Sequence, residues 1–202
     1  MIRPTIDVAE LPEIAFTERS PLWWGAIGML AIEATMFGLL MSAYVYLRLR
    51  QDIWPPAGVS LPHLFLPTLN LIIMILSCLP SYYASEAAKA NSPTGMKFWL
   101  LLNVILALIT VGIRWDIWNS LNYSGRSNAY GSIVWTILGF HTFDYVAGIL
   151  ESIGILVLLF AGYAGNDIRK AVDFDSYTWY FVVAIWIPLY AVVFVWPLFP
   201  KF

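Results

Sequence analysis

Four ionisable side chains lie in stretches so apolar that each needs a physical reason. Glu33 sits mid-run in Gly28-Met29-Leu30-Ala31-Ile32-Glu33-Ala34-Thr35-Met36-Phe37-Gly38, with no lysine or arginine in reach on the same helix. An uncompensated carboxylate in hydrocarbon is costly, so Glu33 is either protonated or partnered. Two uses stay open: a proton-linked or lipid-contacting acid facing a neighbouring helix, or a neutral acid whose hydrogen bond holds two helices together. His141, Asp144 and Glu151 follow at spacings of three and seven, which places them on one helical face as a polar stripe. His141 and Asp144 are expected to pair across one turn. A metal centre would need donors from several helices. Only Glu33 offers one, and no paired Glu-x-x-His motif exists, so an interhelical hydrogen-bond network is the expected role. His63, in a proline-rich connection, is the other of two histidines, too few to ligate haem and copper. The chain has no phosphate-binding glycine loop and no nucleophile elbow.

The elements that must carry these residues are membrane helices. Of the 202 residues, 60% are hydrophobic and 12% charged, which excludes a water-soluble domain. Five apolar segments, Trp23 to Leu47, Leu64 to Ala84, Phe98 to Ile113, Tyr130 to Tyr163 and Tyr177 to Phe199, are each read as a helix. Strands without a closed barrel leave backbone groups unsatisfied in lipid, and no run alternates as barrel strands do. The third segment is short and is expected to begin or end in the interface, while the fourth is long enough to tilt or protrude. Pro188 is expected to kink the fifth, and Pro67 is tolerable in a first turn. Ala34 and Gly38 form a small-residue notch open to a close helix. Aromatics near segment ends, including Tyr44, Trp54 and Tyr123, are read as interface anchors.

Residues 1–22 are read as a polar tail without signal-peptide character, and 23–202 as a single five-helix transmembrane domain. The scattered basic residues, with net charge -2, form no patch for nucleic acid. Cys78 stands alone, so no intrachain disulfide is available. Arg3, Arg19, Lys89, Lys97, Arg169 and Lys170 fall on the N-terminal side and Arg48, Arg50, Arg114, Arg126 and Lys201 on the other, too even a split to orient the chain.

Several motifs resemble cytochrome c oxidase subunit III, the haem-copper oxidase family. Gly28-Met29 with Glu33-Ala34-Thr35-Met36-Phe37-Gly38 is similar to the family's G-M-x-x-F-x-x-S-E-x-x-F-F stretch. Trp54-Pro55-Pro56-Ala57-Gly58-Val59 is similar to W-P-P-x-G-I, and Leu66-Pro67-Thr68-Leu69-Asn70 to the helix start that follows it. Tyr130-Gly131-Ser132 and Gly139-Phe140-His141 resemble Y-G-S-x-F and G-F-H-x-x-H, and Trp179 to Trp186 resembles W-H-F-V-D-x-V-W. Asp144 replaces the second histidine of its motif, Tyr180 a histidine and Val183 an aspartate, so the polar network of the last two helices is expected to be rebuilt.

The resemblance implies an all-α bundle of the short five-helix bacterial form, divided into helices 1–2 and 3–5 by a lipid-holding cleft. It implies an accessory subunit of a terminal oxidase in aerobic electron transport that supports proton uptake and the stability of the catalytic subunit. No redox cofactor is expected on this chain; haem and copper belong to partner subunits, and phospholipid is expected to bind. The implied partners are subunit I as main contact, subunit II and a larger respiratory supercomplex, in the bacterial cytoplasmic (inner) membrane. Glu33 matches the family's buried glutamate and His141 the first histidine of its motif, whereas Asp144 and Glu151 rest on physics alone. The alternatives are a similar partner of nitric oxide reductase, a small proton-coupled transporter using Glu33, Asp144 and Glu151, and an assembly or lipid-holding scaffold.

Overall fold

The computed structural model describes residues 21–199; the expected polar tail, with Arg3 and Arg19, and also Lys201 lie outside or at the margin of that range. The described chain is built from α1 (Pro21–Arg50), α2 (Phe65–Lys89), α3 (Pro93–Ser120), α4 (Ala129–Phe160) and α5 (Asn166–Tyr190). All five are long and apolar enough to cross a membrane.

The third helix is not short. It runs 28 residues, because the core-facing positions Leu100, Asn103, Ala107, Thr110, Arg114 and Ile117 keep helical spacing beyond the apolar run. The fifth begins at Asn166, eleven residues before its apolar stretch. Pro188 does not end it: the helix passes through and relaxes into a π turn at Ala191–Val195 and a 3-10 turn at Trp196–Leu198. Pro80 is a second interior proline, buried in α2.

Local chemistry fixes the turns. After α2, Asn91 takes φ 54°, and the amides of Asn91 and Ser92 reach back to the carbonyls of Ala88 and Ala87 at 3.2 and 2.9 Å, a left-handed helix stop. Ser92 then caps α3, accepting from the Gly95 amide at 3.3 Å, with Pro93 opening the helix. Asn128 caps α4 by accepting from the Gly131 amide at 2.7 Å. A Cβ at Gly131 would stand 2.4 Å from the Ser124 carbonyl oxygen, which explains the glycine of Tyr-Gly-Ser.

Helix contacts do not follow the expected division into helices 1–2 and 3–5. The α2 helix packs along α3 and α5, α4 packs on α3 and α5, and α1 rests on α4 and α5. The reason is the α2 face: Asn70, Met74, Ser77, Ser81, Ala84 and Ala88 are all buried, mostly small residues that admit close neighbours. By contrast α1 has 11% of its membrane stretch buried, against 33% to 39% for the rest. Among the described residues no helix fills the Ala34–Gly38 notch, since a Cβ on Gly38 would meet nothing within 4 Å.

Two supposed interface anchors are core residues. Tyr44 and Trp54 are buried with Tyr130, and the Trp54 indole N–H donates to the Tyr44 hydroxyl at 3.1 Å. Arg48 closes this cluster. Its two terminal nitrogens donate to the carbonyls of Trp196 and Phe199, each at 2.9 Å, and its guanidinium lies 4.7 Å from the Trp196 ring centroid. The end of α1 is thereby tied to the end of the chain's last helix. In the α3–α4 connection, burial pushes the Tyr123 phenol up to about 12.

Candidate functional site

Glu33, Asp144 and Glu151 line one cavity of about 330 Å3 between α1, α4 and α5. Met29 and Glu33 come from α1, Asp144, Gly148 and Glu151 from α4, and Thr178, Trp179 and Val182 from α5. The stripe forms because positions 144, 148 and 151 lie on successive turns of α4 facing α1. At Gly148 the helix leaves room for the Trp179 indole, 3.7 Å from where a Cβ would be. Among the described residues the ion pairs are those of Lys89 with Glu86 and Asp173, so no cation pairs with the three acids. One buried carboxylate oxygen of Asp144, Oδ2, has no hydrogen-bond partner.

His141 belongs to a different face. It does not pair with Asp144; it points into the bundle and is fully buried. Its Nδ1 stands 2.7 Å from Nη1 of Arg114, and its Nε2 stands 3.0 Å from the Val182 carbonyl oxygen. A guanidinium only donates and a carbonyl only accepts, so His141 carries its proton on Nε2 and accepts through Nδ1. The expected pairing fails because a three-residue step turns the helix by about 300°, enough here to send the two side chains to different neighbours.

Arg114 is the residue that reading the sequence missed, counted as a loop charge when it is buried at 2% exposure. Beyond His141, it donates to Thr142 Oγ1 and Asn70 Oδ1, each at 3.3 Å, and lies 3.4 Å from the Met74 sulfur. Its guanidinium carbon is 4.3 Å from the Trp186 ring centroid and 5.5 Å from that of Tyr145. Asn70 donates in turn to the Thr110 carbonyl at 2.8 Å. A single cation therefore joins α2, α3, α4 and α5 through neutral acceptors and aromatic faces. The signal was present in the spacing, since Arg114 follows Thr110 by four and Ala107 by seven.

Asp175 was missed as well. It is buried at 2% exposure, and the Ser152 hydroxyl donates to its two carboxylate oxygens at 2.8 and 3.0 Å. Ser152 adjoins Glu151, so the acids of the cavity continue into the α4–α5 interface. Among the described residues no group of three histidine, cysteine, aspartate or glutamate side chains is placed to hold a metal ion.

Comparison with known proteins points one way. A family model described as cytochrome c oxidase subunit III matches residues 16–198. The chain is 29% identical over 172 residues to cytochrome c oxidase subunit 3 of Thermostichus vulcanus, covering 85% of each protein. It is 25% identical over 172 residues to that of a Synechocystis strain, covering 85% of this chain and 74% of the relative. The Arabidopsis thaliana protein is 26% identical over 145 residues, 71% of this chain and 55% of the relative.

Proposed function

Because the chain belongs to the cytochrome c oxidase subunit III family, an accessory subunit of a terminal respiratory oxidase embedded by multiple membrane helices, we propose that its own contribution is non-catalytic. In this reading it holds no haem or copper and supplies a buried scaffold and an acidic cavity beside the catalytic subunit. Subunit I is the main contact, with subunit II and a larger respiratory assembly as further partners. Residues 23–202 act as one membrane domain, in the bacterial cytoplasmic membrane, with phospholipid bound around it.

Glu33, Asp144 and Glu151 are proposed as proton-linked or lipid-linked groups. What supports this is their convergence on one cavity. His141 is proposed as a positioning residue, because the Val182 carbonyl it binds is part of the α5 wall of that cavity. The observation that carries the whole reading is the family match, which spans all five helices.

The test is to purify the complex through a tag on this chain, identify the proteins that accompany it, and record its haem spectrum and oxygen uptake. Haem-copper subunits that consume oxygen support the reading. Nitric oxide reduction without oxygen uptake, or an isolated, haem-free chain with no oxidase subunits, overturns it.

A further inference from the structure

We propose that the core of the α2–α5 bundle holds an internal water site at Asn103. This α3 side chain is fully buried, and among the described residues neither its amide nitrogen nor its amide oxygen has a hydrogen-bond partner. Burying both ends of a primary amide unbonded is costly, and native cores avoid it. The register of the helices defines the surroundings. On α2, Asn70 donates to the Thr110 carbonyl of α3 at 2.8 Å. Ser77 lies seven residues beyond Asn70 and Asn103 seven before Thr110, so along this antiparallel pair both have moved about 10 Å the same way. On α4, Ser152 lies eleven residues beyond His141 and Asn103 eleven before Arg114, and His141 and Arg114 join the two helices at 2.7 Å. The α5 helix closes the layer: Ser152 donates to Asp175 at 2.8 Å, and Trp179 Nε1 donates to Ser77 Oγ at 2.9 Å. Asn103 therefore stands level with Ser77, Ser152 and Asp175, to within about one helical turn.

The hydrogen-bonding capacity left over at this level selects the ligand. The Ser77 hydroxyl proton is committed to the Met74 carbonyl, the Ser152 proton to Asp175 and the Trp179 indole proton to Ser77. Ser77, Ser152 and Asp175 keep acceptor lone pairs for Nδ2 of Asn103. None of them keeps a donor for Oδ1. Asp175, itself buried, accepts from the Ser152 hydroxyl alone among the described residues. A cation would meet these oxygens but would also face the Asn103 N–H groups. Water both donates and accepts: one molecule takes a bond from Nδ2 while donating to Asp175, and a second donates to Oδ1. The buried side chains around Asn103 are small, with serines on α2 and α4 and Ala107 one turn along α3, which suits a guest of that size. The water ties Asp175 to α3 as Ser152 ties it to α4. This inference goes beyond the proposed function and does not depend on the roles of Glu33, Asp144 and Glu151.

The test uses the complex purified through a tag on this chain. An electron cryomicroscopy map sharp enough to show ordered water should place density about 2.7–3.2 Å from both Nδ2 and Oδ1 of Asn103, with one peak also in reach of Asp175 or Ser152. Hydroxyl radicals generated by an X-ray pulse in isotopically labelled water should mark Trp179, buried beside the site, and leave Tyr44, buried in a separate cluster, unmarked. Asn103→Leu should remove the density and reduce the label on Trp179 to the level of Tyr44. An Asn103 amide bonded directly to protein atoms with no solvent peak, or equal labelling of Trp179 in the wild type and Asn103→Leu, overturns the proposal. The wild-type map decides it even where the variant fails to assemble. A peak that contacts oxygens only and vanishes when sodium is exchanged for choline would assign the site to a cation and overturn water as the ligand.

Discussion

Replacing His141 by leucine should harm the fold more than replacing its partner Arg114 by methionine, and the double replacement should cost less than the sum of the two. His141→Leu removes the acceptor 2.7 Å from the Arg114 guanidinium and the donor 3.0 Å from the Val182 carbonyl. A hydrogen bond to a charged group contributes about 1.5–3 kcal/mol, and an orphaned buried acceptor costs about 1–3 kcal/mol. Together these amount to about 2.5–6 kcal/mol. Arg114→Met leaves His141 Nδ1 and Asn70 Oδ1 without their donor, at about 1–3 kcal/mol each. That loss is partly offset, because a buried cation without a counter-ion no longer has to be desolvated. In Arg114→Met/His141→Leu the orphaned cation and the orphaned imidazole disappear together, so the interaction energy should be about 2 kcal/mol in the compensating direction. Unfolding of the full chain by SDS, followed by far-UV circular dichroism, measures all three variants. Additive effects within about 0.5 kcal/mol would refute the idea that the pair is the junction of the bundle.

Further outcomes follow from other sites. Nitrogen NMR of labelled histidine should place the His141 proton on Nε2; a proton on Nδ1 would contradict the assigned bonds. Gly131→Ala should sharply lower the yield of folded protein, because its Cβ would stand 2.4 Å from the Ser124 carbonyl oxygen, whereas Gly139→Ala, 3.8 Å from the Trp118 ring, should be tolerated; equal yields would refute the steric account. Asp175→Leu should destabilise the chain by about 1–3 kcal/mol by orphaning the Ser152 hydroxyl, and Asp175→Asn by clearly less, as scored by thermal retention in detergent. Glu33→Gln and Glu151→Gln should preserve assembly while changing oxygen turnover; loss of assembly with unchanged turnover per complex would favour a scaffold role. With Arg48 and Arg114 both buried, the remaining basic residues divide six to three toward the N-terminal side, and that side is predicted to face the cytoplasm. A cysteine at Asn166 should then be shielded from an impermeant thiol reagent in intact cells while one at Arg126 reacts; the reverse pattern would invert the topology.

The helices were legible because hydrocarbon leaves the backbone few options, and a run such as Phe98 to Ile113 announces a span by composition alone. Its true end was not legible by that measure. Apolar composition stops at Ile113, yet the helix continues through Arg114 and Ile117 because its core face, not its average polarity, carries the packing. The same cause hid Arg114, whose type signals a loop while its spacing signals the core. Helical periodicity put Asp144 and Glu151 on one face of α4, whereas the meeting of Glu33 with them across α1 is visible only in the structure. His141 was misjudged because periodicity gives a direction and not a partner, and its partner Arg114 lies 27 residues upstream on another helix. The helix grouping depends on which faces carry small residues, and the buried serines and alanines of α2 bind it to α3 and α5. Tyr44 and Trp54 look like interface anchors until the loop returns Trp54 to the core.

We infer that this chain supports an oxidase whose chemistry lies elsewhere. The direct measurement is oxygen consumption over many turnovers by the purified complex with and without this subunit, alongside its haem spectrum. Without the chain, haem content should be unchanged and the initial rate should persist, followed by faster inactivation. Loss of haem, or complete loss of oxygen reduction from the first turnover, would contradict it.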